Sequence, residues 1–118
     1  MGIYDQFNRT EMLRSWTQIV EDFEDYEPGR QPAILENSFE SFFLVMSFFE
    51  GIGVLVSRNL IDVHLVADLI SGPTIRLWEV VEGYLKWIRE DLKRPQIWEW
   101  TEYLYYEITK IPSRRFGT

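Results

Sequence analysis

An all-α fold, a single domain built as a bundle of four main helices plus one short connecting helix, is what this chain predicts. Three observations carry that expectation. Apolar residues recur at spacings of three and four along most of the length, no segment alternates with period two for long enough to make a strand, and Pro and Gly stand between the periodic stretches. At 118 residues there is room for one hydrophobic core and not for two, so a single domain spanning 1–118 is expected.

The first helix is expected over about 8–27. Asn8 can cap it while Glu11 reaches back, with Phe7 and Met12 positioned as a hydrophobic staple. Leu13, Trp16, Val20 and Phe23 follow at spacings of 3, 4 and 3 and form its apolar face. Five of the seven residues from Glu21 to Glu27 are acidic, and the run leads into Pro28, Gly29 and Pro32, which mark a loop at 28–33. Such a run is either a partner-binding patch or, as charge runs ordinarily are, a solvated helix end.

The helical core then runs over 34–111. Its first member, 34–58, places Leu35, Phe39, Phe42, Phe43, Met46, Phe49, Gly53 and Val56 in one broad arc at ~100° per residue, and still carries Phe48 and Leu55 on its other side. A helix apolar nearly all round belongs at the centre of a bundle or in an oligomer interface. Asn59 suits the left-handed residue that ends it, and Asp62 caps a short connecting helix at 62–71. Gly72 closes that helix and Pro73 opens the next, at 73–93, where Trp78, Val81, Leu85, Ile88 and Leu92 repeat inward. Pro95 starts the last helix, 95–111, with Ile97, Trp100, Thr101, Leu104, Ile108 and Ile111 inward and a short basic tail at 112–118 beyond it.

Charge excludes one class of partner. Of the 19 acidic residues, nine lie in residues 1–40 against three basic ones, and the whole chain carries -7. Direct nucleic-acid binding needs a basic surface that releases phosphate counterions, and none is present; Lys110, Arg114 and Arg115 are too few to supply it. Cysteine is absent, which removes disulfides, thiol catalysis and thiolate metal sites. Residues 1–9 hold Asp5 and no apolar run, so no secretory signal is read there and a cytoplasmic location is expected.

Two glycines, Gly51 and Gly53, sit behind Glu50 in the stretch Phe48 to Val56. A phosphate-binding loop would need a third glycine where Val56 stands, together with a preceding strand. Gly53 instead reads as a place where a neighbouring helix comes close. A membrane span needs about 20 apolar residues, and extending this stretch brings in Glu36, Glu40 and Arg58. No transmembrane span is therefore expected.

Glu50 itself falls inside the apolar arc, where a carboxylate must find a partner or take up a proton. Arg89 stands equally oddly at the edge of the Trp78 stripe. The two are expected to meet across a helix pair, with Arg76, His64 or a tyrosine hydroxyl as alternative partners, either as a register-fixing pair or as a polar ligand site. Other chemistry has little to work with: His64 is the single histidine, no Glu-x-x-His pair exists, and neither a metal nor a cofactor is expected.

Aromatic and apolar residues spread beyond the inward stripes: Phe48, Leu55, Val80, Trp87, Trp98, Tyr103, Tyr105 and Tyr106. Phe48, Leu55, Trp87, Trp98, Tyr105 and Tyr106 are the interface candidates, to be covered by a second subunit or another protein, unless the N-terminal helix covers much of them.

Phe48-Phe49-Glu50, then Leu55-Val56, then Arg58-Asn59-Leu60-Ile61-Asp62, followed by Trp78, Ile88 and Arg89, resembles a family of small helical prokaryotic proteins that carry a domain of unknown function. The likeness extends over about residues 35–108, and Asn59 stands where that family more often has glycine. It implies a helical fold and supplies no activity. The leading expectation for function is a noncatalytic, self-associating interaction module. The alternatives are an acidic regulator that mimics nucleic acid on a basic partner, and a small-ligand binder or enzyme using Glu50 and Arg89.

Overall fold

The computed structural model describes residues 2–112, and six helices run through them: α1 (Ile3–Phe7), α2 (Thr10–Phe23), α3 (Ala33–Asn37), α4 (Phe39–Ser57), α5 (Val63–Asp91) and α6 (Glu99–Thr109). No strand forms among the described residues. The four long helices close a ring in which α2 packs on α4, α4 on α6, α6 on α5 and α5 on α2. Their inward faces meet in one core whose largest fully buried side chains include Phe23 of α2, Phe49 of α4, Trp78 of α5 and Leu104 of α6.

Direction follows from which residues touch. Phe43 meets Trp98, Glu50 meets Thr101, and Val56 shares a groove with Glu107, so α4 and α6 run parallel. Trp16 meets Pro73 and Phe23 meets Tyr84, which gives α2 and the second arm of α5 a common sense. One end of the bundle therefore collects the start of α4, the end of α5 and the approach to α6.

Several expected boundaries move, each for a local reason. The first helix breaks at Asn8 and Arg9; Asn8 closes α1 through its N–H on the Tyr4 carbonyl, and Arg9, not Asn8, is the N-cap of α2. The break lets α1 turn Phe7 into the core against Trp16, Phe48 and Phe49. At its other end α2 stops at Phe23, four residues before 27, where the Tyr26 N–H bonds to the Phe23 carbonyl and turns the chain.

Helix 34–58 divides at Ser38, whose φ of -149° leaves the helical region. Asn37 and Ser38 are residue types that favour turns and caps over helix interiors. The face of α4 also rotates: Phe42, Val45, Met46, Phe49, Ile52, Gly53 and Val56 are buried, while Phe39 and Phe43, expected inward, are exposed. A helix apolar on every side does not specify its own rotation; the positions of α2 and α6 do. By length and composition α4 is long and apolar enough to cross a membrane, and the core helix of a bundle has the same composition.

The expected connecting helix and its successor are one kinked helix, α5, bent at Ile70 (φ -140°). Pro73 has no N–H to give the Leu69 carbonyl four residues back and its ring crowds that carbonyl, which bends the helix without ending it. Thr74 Oγ1 donates to the Ile70 carbonyl at 2.7 Å and Trp16 Nε1 to the Pro73 carbonyl at 3.1 Å. Val80, read as off the stripe, is buried because α5 is covered from more than one side. Pro95 lies in a turn, and α6 begins at Glu99 after Trp98 takes a left-handed φ of 53°. Arg114 and Arg115 of the basic tail lie outside the described residues.

Two helix ends share one device. At the end of α4 the Leu60 N–H bonds to the Leu55 carbonyl and the Asn59 N–H to the Val56 carbonyl, with Asn59 at φ 58°. At the end of α5 the Arg94 and Lys93 N–H groups bond to the Arg89 and Glu90 carbonyls in the same way, with Lys93 at φ 54°. Both are Schellman closures, which favour glycine at the left-handed position. Asn59→Gly is expected to raise stability by up to ~1 kcal/mol, read by urea denaturation, since glycine adopts this conformation without steric penalty.

Candidate functional site

The polar centre of the molecule lies where α4, α5 and α6 meet. An α-helix leaves its first N–H groups without intrahelical partners, and α6 starts at Glu99 without a side-chain cap of its own. Glu50, in the middle of α4, supplies what is missing. Its carboxylate accepts from the Thr101 N–H at 2.9 Å, from Thr101 Oγ1 at 2.9 Å and from the Trp100 N–H at 3.3 Å. The negative charge also sits at the positive end of the α6 dipole. Glu50 is a cap provided by a different helix.

Close approach makes this reach possible. At Gly53, one turn along α4, an added Cβ would lie 2.0 Å from the Trp100 carbonyl oxygen and 2.7 Å from its carbon. The backbone of α6 thus rests directly on the backbone of α4. Any side chain at position 53 would hold the two helices apart.

Arg89 serves the same corner from α5. Its Nη1 donates to Glu102 Oε1 at 2.7 Å and its Nε to the Ile97 carbonyl at 2.8 Å, while its guanidinium carbon lies 5.7 Å from the centroid of the Trp78 ring. It clamps the turn between α5 and α6 to the first turn of α6. Its Nη2 and the Trp78 indole N–H are buried without a hydrogen-bond partner among the described residues.

The expected Glu50–Arg89 pair is therefore corrected. Both residues converge on the beginning of α6, but each takes a different partner there: backbone and Thr101 for Glu50, Glu102 and Ile97 for Arg89. The reason is that the unsatisfied N–H groups of α6 lie between them and compete for the carboxylate. Nor do the alternative partners reach it. Arg76 pairs with Glu24 at 3.4 Å on the surface, and His64 is exposed on the first turn of α5, where the Asp62 side chain accepts its backbone N–H.

Two residues of this corner were not singled out from sequence. Thr101 is fully buried, and a hydroxyl at an inward helix position has to find an acceptor, which is the signal that could have identified it. Glu102 gives no such signal, because only the fold of the 92–98 turn brings Arg89 to it.

Among the interface candidates, Leu55, Trp87 and Tyr106 are exposed. Phe48 packs on Phe7 and Phe49, Trp98 on Phe43, and Tyr105 on Trp78 and Tyr106, and all three are half-buried. A line of ring contacts runs across one end of the bundle: Trp98, Phe43, Phe39, Phe42, Phe23, Tyr84 and Trp87, with successive centroids 5.5–6.2 Å apart. Burial, with Tyr26 beside it, raises the Tyr84 phenol above its ordinary value, so this part of the line is uncharged at neutral pH.

Taken as chemistry, the centre is a set of polar groups committed to one another: a carboxylate filled by three protein donors and a guanidinium bound to a carboxylate and a carbonyl. Among the described residues, no group of three or more His, Asp or Glu side chains is arranged to hold a metal ion. No curated protein and no solved structure matches the chain. A family model described as a domain of unknown function, DUF4760, matches residues 3–108, from the first residue of α1 to the last turn of α6. That span takes in the whole ring of helices together with the Glu50, Gly53 and Arg89 corner, and the chain belongs to the DUF4760 family.

Proposed function

We propose that this chain is a noncatalytic protein-interaction module that associates with itself. The observation that carries the reading is the aromatic end of the bundle. Phe39 and Phe43 are 52% and 51% exposed, Trp87 is 41% exposed and Leu92, the C-cap of α5, is 52% exposed. Soluble monomers scatter single apolar residues over their surfaces, whereas several large ones gathered at one end mark a contact. Aromatic residues supply much of the energy of such contacts at a small entropic cost.

The alternative of a ligand or catalytic site at Glu50 and Arg89 has less behind it, because the hydrogen bonds to α6 already occupy the carboxylate and most of the guanidinium. Light scattering behind a sizing column tests self-association. Wild-type protein is expected to move from monomer to dimer across the micromolar range, and Phe39→Ser/Phe43→Ser to stay monomeric. Both rings are half in water already, so the double variant should lose no more than ~2 kcal/mol of folding stability. A wild-type monomer at every concentration would overturn the reading.

A further inference from the structure

No further inference is drawn: the strongest candidate, the notch between the turn after α2 and α5 that Tyr26, Tyr84 and Trp87 wall, has the exposed Arg30 and Gln31 at its rim, and nothing in the structure shows what fills it.

Discussion

Replacing Gly53 by alanine is expected to lower stability by ~3 kcal/mol, while the same change at Gly51, two residues away, raises it by up to ~1 kcal/mol. In both cases the exchange favours the helix, because alanine loses less backbone entropy than glycine. At Gly51 nothing lies within 4 Å of the new methyl group, so this gain is all that happens. At Gly53 the methyl would meet the Trp100 carbonyl oxygen at 2.0 Å, and that obstacle is backbone, not a side chain that can swing away. The whole first turn of α6 must retreat, and with it the Trp100 and Thr101 N–H groups that Glu50 holds. Overpacking of this kind costs typically 1–3 kcal/mol, roughly, and disturbing the cap adds about 1 more. For a chain of 118 residues the net loss corresponds to a fall in Tm of roughly 10 °C. Thermal melts of the two variants side by side provide the measurement, and equal shifts of the same sign would show that α6 does not rest on position 53.

Removing the carboxylate at position 50 should produce the second large effect. Glu50→Ala leaves two backbone N–H groups and the Thr101 hydroxyl without their acceptor at the start of a partly buried helix, and ~2–3 kcal/mol of stability should be lost. Glu50→Gln keeps one acceptor oxygen but gives up the charge opposite the helix dipole, for a loss of ~1 kcal/mol. The partner can be read directly as well. Amide hydrogen exchange at Trp100 and Thr101 should accelerate in Glu50→Ala by more than global destabilisation explains. In double-mutant cycles Glu50 should couple more strongly to Thr101 than to Arg89, because only the first pair shares a hydrogen bond. Stronger coupling to Arg89 would restore the direct ion pair and remove the capping role.

These two residues also show what can be read from the sequence. Gly53 stands out because a glycine within the most apolar helix of a chain has few reasons to be there, and close approach is the main one. Glu50 stands out because a carboxylate on a packing face must be satisfied. The identity of its partner is another matter. Periodicity places Glu50 inside one apolar arc and Arg89 at the edge of another, which brings the two together on paper. It does not register that the beginning of α6 has its own unmet N–H groups, and those are found only once Pro95 is seen to sit in a turn and α6 to start at Glu99.

The helix breaks follow a similar pattern. Asp62 and Asn59 act at the positions their chemistry suggests, because capping and left-handed φ are decided within a few residues. Ser38 and Pro73 behave less predictably. Serine can sit in a helix or break one, and a proline can open a helix or merely bend it, as Pro73 does beside the kink at Ile70.

What the sequence determined alone is the class of fold, the number of long helices and the residues that carry an obligation: a glycine that leaves space, a buried charge that needs an answer, a surplus of rings. Those follow from local propensity and from period, which the chain states at every position. What only the tertiary structure decided is which way α4 turns, and therefore that Phe39 and Phe43 face outward while Val45 and Ile52 face the core. A helix that is apolar on all sides gains about the same burial at any rotation, so its neighbours break the tie, and they leave Phe39 and Phe43 exposed at one end of the bundle.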